Sequence, residues 1–377
     1  MVNNHDHVGV KDIERRIVEA GLQTTNNTLR VWQEDFPTCQ IPEDPLNGRF
    51  DCYMNIRTEK CFLVCTPGFV PRLFRGTYCK EQGKTGEWNV SISSMDCIPT
   101  TTIVVIGGHF KDHLDRVFKP YQPEELRFRT GTPFYRPTAQ YFRGKLLISG
   151  GFYTKNMMHH YNSSSKALNP FLNLKSFHEI GTTVVVHDKL YTLGPYTNLA
   201  EYYQENNEGQ TFAGPILQST GFYRCAVRYL DRYFLVIDEI STRQYDVLTG
   251  AYIELQHLLT RRTYFGCGTF LNKTTGEEVV LVAGGGGPLY GTSVPDCEVY
   301  TPSLGTWSSI SPLNQPRVAG HIVTTASGVF IVGGWELSTM DKQVEELDTT
   351  TLTWKWVIPA VKAGNEGAVV AVPDGVV

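Results

Sequence analysis

The chain has 377 residues, of which 41% are hydrophobic, 12% aromatic and 19% charged, with a formal net charge of −4. A balance this close to neutral supplies no field to gather nucleic acid or an acidic membrane, and no apolar run reaches the roughly 18 residues that a membrane helix needs. The length leaves room for one large domain and a small one.

Taken in order, the first 38 residues lack the basic start and apolar stretch of a signal peptide. Within them KDIERRIVEAGLQ places Ile13, Ile17, Val18 and Leu22 at helical spacing, so residues 1–38 are expected to form a short helix or to be disordered. The next stretch is different in kind. Of nine cysteines, six fall between 39 and 97: Cys39, Cys52, Cys61, Cys65, Cys79 and Cys97. That density is typical of a small module stapled by disulfides, because so short a stretch cannot bury enough apolar surface alone. The drop in cysteine content afterwards predicts a boundary near residue 99. A zinc site fits poorly, since Cys61-x-x-x-Cys65 has no second knuckle and no histidine lies between 39 and 97. A redox pair would call for C-x-x-C. Six cysteines allow 15 pairings, and spacing alone does not choose among them.

The landmarks around the cysteines are more specific. Cys39 is followed by the turn dipeptide Asn47-Gly48, then by Cys65-Thr66-Pro67-Gly68-Phe69, Gly76-Thr77-Tyr78-Cys79, Gly86-Glu87-Trp88 and Cys97. This order resembles a sushi, or complement control protein (CCP), module across residues 39–98. The resemblance implies pairs Cys39–Cys79 and Cys65–Cys97, with Trp88 at the centre of a small core. Cys52 and Cys61 are extra to that framework, and a third bridge between them would close a hairpin. The resemblance also implies a binding or spacing role without catalysis.

From residue 100 the chain repeats. An apolar strand ending in a glycine pair or its relic recurs roughly every 45 residues, about the length of a four-stranded propeller blade. The instances are TTIVVIGG, KLLISGG, KLYTLGP, RYFLVIDE, EVVLVAGGGG and GVFIVGG. Turn-forming HDK and ASG make hairpins of TTVVVHDKLYTLGP and HIVTTASGVFIVGG. In the following strand Tyr245, Tyr300 and Leu347 each lie seven residues before an aromatic: Tyr252, Trp307 and Trp354. Glycine pair, Tyr and then Trp resemble the Kelch repeat, clearly in the last two units and weakly before them. The resemblance implies an all-β fold, with a six-bladed β-propeller over residues 100–377. EGAVVAVPDGVV would supply the missing first strand beside TTIVVIGG and close the ring; the alternative is a chain cut short inside a seventh blade.

Candidate sites follow from these patterns. Arg136, His178, Arg224, Arg262, Arg317 and His321 stand near the starts of the innermost strands. They are expected either to form a basic rim for carboxylate, sulfate or phosphate groups, or to brace the loops between blades. Cys225 and Cys267 hold similar places in neighbouring repeats and could pair or stay as small buried thiols; Cys297 has no evident partner. Sequons stand at Asn26, Asn89, Asn162 and Asn272. His159-His160-Tyr161 is the one dense cluster with metal-ligating side chains, and adjacent residues on a strand face opposite ways. A copper radical oxidase of the galactose-oxidase type is therefore a remote reading. AGGGGP lacks the lysine of a phosphate loop and reads as a blade corner. The expectation is a non-enzymatic extracellular protein without a cofactor, recognising a protein or glycan ligand. An intracellular Kelch adaptor for acidic peptides is the alternative, with the clustered cysteines against it.

Overall fold

The computed structural model describes residues 39–377 except 56–57, 73–76, 83–84, 90–94, 108–114, 123–124, 129–133, 135, 152–155, 177–180, 195–196, 205–209, 219–224, 231, 288–291, 336–341, 358–361 and 364–366. The expected N-terminal helix, Asn26, His178 and Arg224 lie outside the described residues. The described residues are all β, with no helix among them. They fall into two compact units, and the division runs through the cysteine-rich stretch. Of the described residues, the smaller holds 39–42 and those within Cys52–Cys61 and Thr77–Ile92; the larger holds those within Glu43–Asp51, Phe62–Gly76 and Ser93–Val377.

In the smaller unit, Thr77–Gln82 pairs with Thr85–Trp88 and, through Tyr78 and Thr77, with Lys60 and Cys61. Disulfides Cys39–Cys79 and Cys52–Cys61 lie within it. Trp88 is half-buried and donates its indole N–H to the Gln40 carbonyl at 2.9 Å, so it edges the unit instead of centring a core. The apolar cluster formed by this stretch belongs to the larger unit: Leu63, Cys65 and Met95 are buried, with Phe50, Phe69 and Cys97 against them. Cys65–Cys97 is the disulfide of that cluster.

The rest of the larger unit is a repeat of one motif. Among the described residues, six four-stranded antiparallel sheets stand between Thr102 and Val372. Five take their strands in chain order, beginning at Thr138–Phe142, Thr182–Val186, Cys225–Tyr229, Gly266–Leu271 and His321–Thr325; the last of these passes over Lys342–Gln343, which pairs with Lys362–Ala363 instead. The sixth joins both ends of the repeat region: Ala368–Val372 pairs antiparallel with Thr102–Ile106, Ala368 opposite Ile106 and Val372 opposite Thr102. The first strands of the sheets touch one another in cyclic order, and His321–Thr325 returns to Ala368–Val372. Pairing the last strand with the first removes two open edges that would otherwise be free to pair with another chain.

The second strand of each sheet reads as an unbroken apolar run because neighbouring sheets cover both its faces. In Tyr233–Ile237, Phe234 and Val236 pack with Tyr191 and Leu193 of the preceding sheet, whereas Leu235 and Ile237 pack with Val280 and Val282 of the following one. The glycine pairs end these strands in left-handed backbone. At Gly334 (φ 91°) a Cβ would stand 2.9 Å from the Val318 carbonyl, so the chain corner there is closed to larger residues. Where Asp238-Glu239 replaces the pair, the chain turns at once into the next strand, with Asp238 N–H on the Ser241 carbonyl at 2.9 Å, and no glycine corner is needed.

Candidate functional site: the channel inside the ring of sheets

The six first strands run side by side from one end of a central channel to the other. Two connected cavities of about 320 and 300 Å³ occupy it, sharing Ala139, Gln140, Thr183, Ala226, Ile322 and Val369. Small and hydroxyl-bearing residues make up most of the wall of the second cavity, whereas valines and larger side chains such as Phe62, Phe69 and Arg228 also line the first. At the end where the strands begin, three residues with left-handed backbone turn the chain inwards: Arg136 (φ 54°), Tyr264 (φ 50°) and Ala319 (φ 56°). Each stands two residues before its strand, and Ala319 N–H donates to the Tyr264 carbonyl at 2.7 Å. The Arg136 guanidinium lies over the Tyr264 ring, 5.7 Å from its centroid. His321 lines the same cavity; burial pushes its imidazole down to about 4, opposed by a hydrogen bond to the Gly367 backbone, so it is neutral at physiological pH. Cys225 and Cys267 form a disulfide between neighbouring first strands in this wall.

Arg262 and Arg317 brace the loops between blades and take no part in a basic rim. They stand four residues before their strands, two earlier than Arg136 stands, and the chain turn sends their side chains away from the channel. Both side chains are fully buried. Arg262 pairs with Glu298 and donates to the Asp296 and Gly284 carbonyls at 2.6 and 3.1 Å. Arg317 pairs with Glu345 and donates to the Gln343 and Gly333 carbonyls at 3.0 and 3.2 Å. Burial lowers the Arg317 pKa, and Glu345 opposes the shift. These arginines brace the blade corners, and only Arg136 and His321 of the described candidates face the channel.

The carboxylates in these pairs escaped the reading of the sequence, although a signal is present. Glu298 and Glu345 each stand two residues before the marker Tyr300 or Leu347, and Glu201 stands two before Tyr203. Each also accepts two consecutive backbone N–H groups of the incoming loop: Lys175 and Ser176 at 2.8 and 3.0 Å, Leu259 and Thr260 at 2.7 and 3.1 Å, Asn314 and Gln315 at 2.7 and 3.2 Å. In the sheet beginning at Thr138 the same two places hold Phe134 and His159, whose rings meet edge to face at 5.9 Å. An aromatic contact there replaces the ion pair. His159 is thereby accounted for as packing, and burial lowers its pKa; His160, on the opposite face, stands edge-on to Phe171 at 5.9 Å. Among the described residues no group of three His, Cys, Asp or Glu side chains is placed to hold a metal ion.

Cys297 is buried and forms no disulfide; burial pushes its thiol up to about 12. Asn89 accepts hydrogen bonds from the Thr77 hydroxyl and Tyr78 N–H at 2.9 and 2.7 Å. Asn162 and Asn272 cap hairpin turns through their side-chain oxygens, accepting from Ser164 and Ser165 and from Thr274 and Thr275.

No protein-family model matches the chain. A stretch of 78 residues is 36% identical to human Kelch-like protein 4, covering 20% of this chain and 11% of that protein. The chain thus spans about a tenth of that relative's length. The solved structure titled "Structure of YjhT" superposes with a TM-score of 0.50 at 12% identity, over 84% of this chain and 99% of its own. At that identity the likeness shows the fold alone. The ring of four-stranded sheets makes the larger unit a β-propeller in fold, with a local likeness to a Kelch-like protein.

Proposed function

We propose that this chain is an extracellular recognition protein. In this reading a sushi/CCP module (39–98) precedes a six-bladed Kelch propeller (100–377), which takes a protein or glycan ligand at the channel end marked by Arg136, Tyr264 and His321. The observation that carries it is the cysteine chemistry: eight of nine cysteines are in disulfides, including one inside the ring wall, and only Cys297 is free. Such a set persists in an oxidising compartment and is rare in the cytosol. Asn162 and Asn272 are the proposed glycan acceptors, since both stand at hairpin turns.

The local match to Kelch-like protein 4 favours the second reading, an intracellular adaptor. Alkylation of the denatured, unreduced protein, followed by peptide mass mapping, separates the two. Extracellular function predicts a label on Cys297 alone. Free thiols at Cys39, Cys65, Cys79 and Cys97 would sink it.

A further inference from the structure

The far end of the channel, where the first strands finish, is occupied by the chain itself. Segment Phe62–Pro71 lines the 320 Å³ cavity on one side, while Gln140, Thr183, Thr269 and Thr324 face it from the ring wall. The segment touches the ring at three separated places. Gly68 lies so close to the end of His321–Thr325 that a Cβ on it would stand 2.5 Å from the Thr325 carbonyl and 2.9 Å from Ala326 N; its φ of 89° is also left-handed. The Cys65 carbonyl accepts from the Arg228 guanidinium at 3.1 Å, and that side chain is held by Glu278 at 2.8 Å. Phe62 stacks on His187 with centroids 4.8 Å apart and planes 9° from parallel; His187 also bonds Asp51 at 2.5 Å.

The same segment is stitched to the chain entering the ring. Phe69–Pro71 pairs with Cys97–Pro99, and Cys65–Cys97 is a disulfide. Thr100 bonds the Gly68 carbonyl through its N–H and hydroxyl at 2.9 and 2.8 Å, and its own carbonyl accepts from Ala326 N–H at 2.9 Å. A contact made of backbone hydrogen bonds, a ring stack and a glycine with no space for a methyl group is built, and it does not depend on what the other end binds.

We propose that Phe62–Pro71 is an intrinsic stopper. It closes one end of the channel, so partners engage the opposite end, marked among the described residues by Arg136, Tyr264 and His321, and not the stoppered one.

The test is thiol accessibility in the full-length protein. A cysteine is introduced either at Thr269, beside the stopper, or at Arg136, at the opposite end, and its reaction with a polyethylene-glycol maleimide is timed. The stopper predicts that Thr269→Cys reacts at least about tenfold more slowly than Arg136→Cys. Adding Gly68→Val, or His187→Ala with Arg228→Met, should raise the Thr269→Cys rate by about tenfold and leave Arg136→Cys unchanged. Equal rates at the two positions in the otherwise unaltered chain overturn the proposal, and that comparison holds even if the stopper variants fail to fold. An unchanged Thr269→Cys rate in variants that keep a cooperative thermal transition overturns it as well.

Discussion

The smaller unit is held by two disulfides around few buried side chains, Cys61, Thr77 and Cys79 among them, and its Tyr78 is exposed. The larger unit buries the whole of Thr102–Ile106 and all of Lys145–Ser149 but its first residue, and places ion pairs Arg262–Glu298 and Arg317–Glu345 inside the packing. The contrast shows two ways of making the native state outweigh the chain's conformational entropy. One reduces the entropy of the unfolded chain by cross-linking it. The other removes apolar area from water and lets burial carry polar groups that are fully partnered.

The strongest way to break the comparison is to strip a buried pair of one partner. Arg317→Ala leaves the Glu345 carboxylate buried with no cation, only the Asn314 and Gln315 N–H groups and the Asn314 side-chain amide as donors, and should cost about 3–5 kcal/mol in urea unfolding. Arg317→Met with Glu345→Gln should recover most of that loss; failure to recover would mean that the pair itself, and not the orphaned charge, sets the stability.

The disulfides sharpen the comparison, because two of them span nearly the same length of chain. Cys39–Cys79 closes a separation of 40 residues in the smaller unit, and Cys225–Cys267 one of 42 in the larger. Chain entropy alone assigns similar values to both, about 2–4 kcal/mol. Replacing Cys39 and Cys79 by Ser should abolish protection of Thr77–Trp88 in hydrogen exchange. Replacing Cys225 and Cys267 should lower the melting temperature while the six sheets keep their protection. Equal local loss in both variants would place the ring, too, among structures that depend on their staples.

The smallest effect concerns pH. His321 titrates at about 4 in the folded chain against an ordinary value of 6.5, so below 6.5 the unfolded chain takes up a proton that the native chain does not. Stability attributable to this residue is complete above about pH 6.5, and it falls as the pH drops towards 4, by at most about 3 kcal/mol. His321→Gln should flatten that slope in unfolding measured between pH 7 and 4. An unaltered slope would show that other groups carry it.

Much of this architecture is legible in the residues. The recurrence of TTIVVIGG and its relatives marks the second strands, since a strand covered on both faces must be apolar throughout. The rim is where the reading of the sequence left two outcomes open. Arg262, Arg317 and Arg136 look equivalent in the linear pattern, yet two residues of backbone and one left-handed turn separate a buried brace from a residue facing the channel. Trp88 likewise has the place of a core residue in the linear order but lies beside Gln40, while Met95 and Leu63 form the cluster.

Local chemistry in the sequence was enough to determine the strands, their period, the glycine corners and the cysteine density, because each depends on neighbours within a few residues. Only the tertiary structure decided which cations pair with Glu298 and Glu345, that Cys225 meets Cys267, and that Phe62–Pro71 lies across the channel. Those outcomes depend on where the ring closure brings residues tens to hundreds of positions apart, and no local pattern encodes that distance.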